Sequence, residues 1–215
     1  MALRSYFLSP ASKPHLTTPE EVHEAIRVLK VSKAPGPNSI LKRALKHLPK
    51  QAVSLLARIF NTLLCTHHIP QTWKHARVIS ILKPGKDPAL PSSYRPITLL
   101  DKIGKLFEKI LLARILHVIK ERRMMRDKQF GFRPRHSTSL QLAHLVERIT
   151  RNFSEKRLTS TVFLDVAKAF DTIWIDGPLY KLTLFNFLSY IVHTISSYFR
   201  DWMFKVSFQM ATSSH

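Results

Sequence analysis

Apolar residues in this chain switch repeatedly between helical and strand periods, and that alternation limits the fold more than any other feature. Helical spacing governs the first stretch. Thr18-Pro19-Glu20-Glu21 supplies a capping hydroxyl, a proline at the first helical position and a Glu three residues after the cap, just ahead of Val22, Ala25, Ile26 and Leu29. A rigid turn follows at Lys33-Ala34-Pro35-Gly36-Pro37-Asn38. Val53, Leu56, Phe60, Leu63 and Leu64 predict a second helix over about 50–66, stopped by Ile69-Pro70. The period then shortens. Residues 76–82, with Val78-Ile79-Ser80-Ile81, read as a strand, residues 83–88 as an exposed basic turn, and residues 94–100 as a return strand that Pro96 confines to an edge. From Ile103 the helical stripe returns through Leu106, Phe107, Ile110, Leu111 and Ile115. Another helix should start at a Ser137 or Ser139 cap and run to about Asn152. Residues 159–166 thicken into Val162-Phe163-Leu164, which predicts a buried strand ending at Asp165. Helical segments to about Arg200 and a short basic strand over 204–208 complete an α+β pattern.

Thirty-four Lys and Arg against fourteen Asp and Glu give a formal charge of +20, spread along the chain, so a polyanion is the natural partner. Nucleic acid and an anionic membrane both meet that requirement. Residues 182–199 carry no charge, but Asn186, Ser189, His193, Thr194, Ser196 and Ser197 would be costly in lipid. A half-buried helix and no membrane contact are expected there. The single cysteine, Cys65, lies in an apolar run and reads as a small buried hydrophobe in a reducing compartment. No export signal is visible at the N-terminus, so an intracellular location, nuclear or cytoplasmic, is expected rather than secretion. Of five glycines, Gly36, Gly85, Gly131 and Gly177 are expected in turns and Gly104 near a helix start.

An ionised Asp165 at the end of an apolar strand needs a partner: it either caps the next helix or binds a cation, and spacing alone leaves both open. Its neighbours add a resemblance. Phe163-Leu164-Asp165-Val166-Ala167-Lys168-Ala169-Phe170-Asp171-Thr172-Ile173-Trp174 resembles the first palm motif of reverse transcriptases from non-LTR retrotransposons, particularly the jockey-like group. Four more stretches agree in the family's order: residues 32–38, residues 73–84, Ser93-Tyr94-Arg95-Pro96-Ile97-Thr98-Leu99-Leu100, and Gln129-Phe130-Gly131-Phe132-Arg133 with Ser137-Thr138.

The resemblance implies helix-rich fingers with a β-hairpin, joined to an incomplete palm of the right-hand polymerase fold. It further implies a disordered N-terminal extension over 1–17, a fingers-like region over 18–158 and a partial palm over 159–215. Asp165, with the Val166 backbone carbonyl, would hold catalytic Mg²⁺, since hard cations prefer oxygen ligands. Phe170 would be the aromatic gate against a ribose 2′-hydroxyl, or simply core. Arg95 would touch the incoming deoxynucleoside triphosphate, and Lys83 either touches it too or is only a solvated surface charge. Gln129, Phe132 and Arg133 would meet the template, and Lys33 either meets it or only shapes its turn.

Departures from the family pattern carry information of their own. Where the family usually reads Gly-Pro-Asp-Gly this chain has Asn38 and Ser39, and nothing upstream resembles the endonuclease that normally precedes such a polymerase. The Tyr/Phe-Ala-Asp-Asp hairpin, with the second set of metal ligands, is absent. No two acidic residues adjoin after Glu21. The expectation is a portion of a retrotransposon reverse transcriptase, inactive alone, whose partners in the intact family are an RNA template, a DNA primer and deoxynucleoside triphosphates. The alternative is a non-catalytic basic module that binds RNA or DNA.

Overall fold

Thr18 caps helix α1 (Pro19–Arg27) as the spacing predicts: its hydroxyl accepts from the Glu21 N–H at 3.2 Å, and the Glu21 carboxylate accepts from the Thr18 N–H at 3.1 Å. Two orphan donors of the first turn are thereby satisfied. The computed structural model describes residues 10–29, 36–166, 169, 172–208 and 211–213. It divides into two units, residues 1–115 with 174–215 and residues 116–173.

In the first unit a short α2 (Lys42–Lys46) leads into α3 (Lys50–Thr66), which buries Val53, Leu56, Phe60, Leu63 and Leu64, the face read from the sequence. Cys65 is exposed, correcting the expectation that it is buried. One helical step beyond Leu64 turns a side chain about 100° away from the core stripe, so an apolar neighbourhood in sequence did not become one in space. Helix α4 (Lys102–Glu121) brings Leu106, Phe107, Ile110 and Leu111 against the same core, where the Phe60 and Phe107 rings lie 5.4 Å apart. Each such side chain contributes on the order of 2 kcal/mol of burial. Residues 10–17 lie outside helices but are tied in. Thr17 is buried, exchanges hydrogen bonds with the Asn61 amide at 2.6 and 3.0 Å, and accepts from Arg114 at 2.7 Å.

The uncharged run over 182–199 falls in two helices, α6 (Asp176–Leu184) and α7 (Ser189–Phe199), with Asn186 between them at φ 51°. Tyr190, Ile191 and Val192 fill the core, and the buried Thr194 hydroxyl donates to the Tyr190 carbonyl at 2.8 Å. Among the described residues no helix is long and apolar enough to cross a membrane. Gly177, expected in a turn, is the second residue of α6, where an added Cβ would come 3.0 Å from the Trp174 ring.

Strands β1 (His75–Leu82), β2 (Tyr94–Leu99), β3 (Met203–Phe208) and β4 (Ala211–Thr212) form one sheet in the order β2-β1-β3-β4. β1 and β2 are the predicted hairpin, antiparallel with Ile81 opposite Arg95 and Ser80 opposite Pro96. The proline occupies an edge strand, where its missing N–H costs least. β3 runs parallel to β1, pairing Arg77 with Lys205.

Helix α5 (Thr138–Ser154), in the second unit, starts from the Ser137 cap, whose hydroxyl accepts from the Leu140 N–H at 3.2 Å. Its amphipathic stripe of Leu142, Val146, Ile149 and Phe153 stays exposed. The buried strand expected over 159–166 is a correction. Residues 157–166 belong to no helix or strand, and Val162, Phe163 and Leu164 are 80, 82 and 90% exposed. A strand needs a neighbour to take its backbone hydrogen bonds, and among the described residues none pairs with this segment.

Candidate nucleotide and template site

Register places two of the expected phosphate contacts on one surface. Arg95 lies opposite Ile81, and the hydrogen bond from the Lys83 N–H to the Ser93 carbonyl, 2.8 Å long, extends the hairpin pairing by one step. Side chains alternate along a strand, so Lys83 and Arg95 project from the same face as diagonal neighbours, about 7–8 Å apart at their bases. The Lys83 ammonium donates to the Ser92 carbonyl at 2.7 Å, which orients it along the hairpin. Arg95 is exposed, with no carboxylate partner among the described residues.

The turn that begins with Gly36 backs onto the end of this hairpin. A Cβ on Gly36 would lie 2.3 Å from the Leu100 carbonyl oxygen, so only glycine lets the two backbones meet. Asp101, which is buried, accepts from the Asn38 N–H at 3.3 Å, and the Asn38 side chain accepts from the Ile40 N–H at 3.1 Å. Ser39 stands where the family's pattern has glycine and adopts φ 58°, the left-handed conformation that glycine favours. Lys33 lies outside the described residues.

The second unit carries the expected template residues. Arg133 donates to the carbonyls of Arg126 and Asp127 at 3.1 and 3.4 Å, so its guanidinium braces the loop over 126–133. Gln129 donates to the Gly131 carbonyl at 3.4 Å. Phe132 is 87% exposed at φ 58°, a conformation a bulky residue rarely takes. Beside this loop an open groove of about 900 Å³ is lined by Phe130, Arg133, His136, His144, Arg148 and Arg151, among others. Phe130 packs against the rings of His136 and His144, at 5.1 and 5.5 Å. The two histidines were not singled out in the sequence. Their signal is their spacing, eight residues apart across the Ser137 cap, which only the helix start makes meaningful.

Asp165 and Val166 are exposed at the end of the irregular segment over 157–166, and Phe170 lies outside the described residues. A Mg²⁺ ion needs several converging oxygen ligands. Among the described residues no group of three His, Cys, Asp or Glu could hold a metal, and Asp165 has no hydrogen bond or ion pair there. The described residues do not by themselves fit the two-metal group. Lys83 and Arg95 belong to the first unit, Asp165 and the loop over 126–133 to the second.

Residues 81–214 match the family described as reverse transcriptase (RNA-dependent DNA polymerase). The chain is 40% identical over 188 residues to a probable RNA-directed DNA polymerase from transposon BS of Drosophila melanogaster, covering 87% of this chain and 20% of that protein. It is 41% identical over 164 residues to the RNA-directed DNA polymerase from mobile element jockey of Drosophila funebris, covering 76% of this chain and 18% of that protein. A putative 115 kDa protein in the type-1 retrotransposable element R1DM of Drosophila melanogaster is 30% identical across 84% of this chain and 18% of its own length. The chain thus spans about a fifth of the length of these curated relatives. With the ordered motifs and the basic hairpin, these matches show that the chain belongs to the reverse transcriptase (RNA-dependent DNA polymerase) family, among the jockey-like polymerases of non-LTR retrotransposons.

Proposed function

We propose that this chain contributes the fingers and the first part of the palm to a retrotransposon polymerase that copies an RNA template into DNA by nucleotidyl transfer. Residues 18–158 are the fingers-like region, residues 159–215 the partial palm and residues 1–17 an extension. The observation that carries this reading is the hairpin face on which Lys83 and Arg95 stand as neighbouring cations, a guanidinium and an ammonium suited to triphosphate oxygens. Phe132, Gln129 and the groove beside Phe130 would receive template, bases on rings and phosphates on the flanking arginines. RNA template, DNA primer and deoxynucleoside triphosphates are its partners inside the cell.

Alone, the chain does not synthesise DNA. Asp165 and the Val166 carbonyl would supply at most one corner of a Mg²⁺ site, and no adjoining acidic pair follows anywhere in the sequence after Glu21. Primer extension by the purified chain, on a primed RNA template with Mg²⁺, should give no product. Template-dependent extension that Asp165→Asn abolishes would overturn the claim of inactivity. The isolated chain acts as a nucleic-acid binder, a second reading that its charge of +20 favours. Affinity for single-stranded RNA should then fall steeply with added salt.

A further inference from the structure

The parallel pairing of β1 with β3 creates a feature that neither strand carries alone. Arg77 and Lys205 are register partners, so their side chains leave the same face of the sheet from neighbouring strands about 5 Å apart. Two like charges in that position repel unless an anion lies between them. Strands β1 to β4 contain no Asp or Glu, and neither Arg77 nor Lys205 has an ion-pair partner among the described residues. The Arg77 Nε is buried with no hydrogen-bond acceptor. On this face Ile79, Ile81 and Ile97 follow Arg77, with Ile81 and Ile97 exposed, and Arg95 and Lys83 close the far end. Six residue steps lead from Arg77 to Lys83, a run of about 20 Å.

We infer that Arg77 and Lys205 form a phosphate-binding pair for the backbone of a single-stranded nucleic acid lying along this sheet face, with the isoleucines between the cations receiving its base or sugar faces. The inference rests on the reading of the chain as a polymerase segment and extends it to two residues outside the nucleotide contact. A run of about 20 Å exceeds what one phosphoryl group can bridge, while a strand offers a charge every few ångströms. The apolar centre suits a ligand that alternates anionic and apolar groups.

The test is fluorescence anisotropy of a labelled oligouridylate against the full chain, titrated between about 50 and 200 mM salt. Each lost phosphate contact should flatten the log–log salt slope by about 0.7, so Lys205→Gln flattens it once and Arg77→Gln/Lys205→Gln about 1.4 in total. The double variant should melt no lower than the parent, because it removes a repulsion. An unchanged slope in the double variant, or a melting temperature several degrees lower, would overturn the pair. If Arg95→Gln alone flattens the slope while the double variant does not, the pair fails and the nucleotide reading of Lys83 and Arg95 survives. A wild-type chain that leaves the oligonucleotide free removes both. Tighter capture by phosphatidylserine vesicles than by RNA would likewise reject a nucleic-acid strand as the occupant.

Discussion

The phenol of Tyr198 on α7 donates to the Glu108 carboxylate on α4 at 2.6 Å, and Lys105 reaches the other oxygen of that carboxylate at 2.7 Å. One acidic group therefore joins two helices that are ninety positions apart in the chain. Burial, then the charge and hydrogen bond of Glu108, push the Tyr198 ionisation well above that of a free phenol. The folded state holds this proton more tightly than the unfolded chain, so stability is fully present below pH 10 and is lost as pH rises above it. Tyr198→Phe should cost about 1.5–3 kcal/mol near neutrality, the range for a hydrogen bond to a charged group, and should remove that alkaline loss. Chemical denaturation at pH 7 and across pH 9 to 11 reads both effects.

The His67 and His193 rings lie 5.3 Å apart in a cleft of about 370 Å³, which Lys74, Arg200 and Asp201 also line. Desolvation lowers both pKa values, and for His193 the nearby His67 lowers it further. The unfolded chain then takes up protons first, so stability falls as pH drops below about 6.5 and levels off once the folded histidines titrate. His67→Asn, which tolerates the left-handed φ of 53° there, should flatten this acid loss in a thermal-melt series from pH 7 to pH 5.

Two substitutions in one turn should act in opposite directions. Gly36→Ala drives a Cβ into the Leu100 carbonyl and should cost about 1–3 kcal/mol. Ser39→Gly removes a left-handed serine and should gain up to about 1 kcal/mol, less the extra entropy glycine gives the unfolded chain. Urea denaturation of the two variants beside the parent measures both.

Phe132 combines 87% exposure with a left-handed backbone, a costly arrangement that little burial offsets. Phe132→Gly should raise stability by about 1 kcal/mol while weakening single-stranded RNA binding by roughly 5- to 150-fold, the loss of one stacked base. Melting and anisotropy on the same preparation separate the two effects.

Elements whose partners lie close in sequence were legible from the residues. The capping box of α1, the stripe of α3 and the hairpin of β1 and β2 are each encoded within twenty-six residues or fewer. The place before an amphipathic run offers Ser137 and Ser139 as caps, and the helix uses Ser137. What escaped depended on distant chain. The apolar run at Val162-Phe163-Leu164 has strand composition, yet composition cannot supply the neighbouring backbone that makes a strand. Cys65 was misjudged because its apolar neighbours face the core on a helix that turns it outward. At the candidate site, Lys83 and Arg95 could be named from the motif, but the Arg77–Lys205 pairing is a property of register between strands 128 positions apart.

That parallel ladder also dictates an order of assembly on the ribosome. A hairpin of β1 and β2 can close as soon as Leu99 has emerged, but the strand that must flank β1 is translated 128 positions later. At synthesis rates of roughly 5–20 residues per second, β1 waits on the order of ten seconds for β3. Its outer row of N–H and C=O groups stands open during that interval, and a chaperone or a neighbouring nascent chain can compete for it before the native strand arrives.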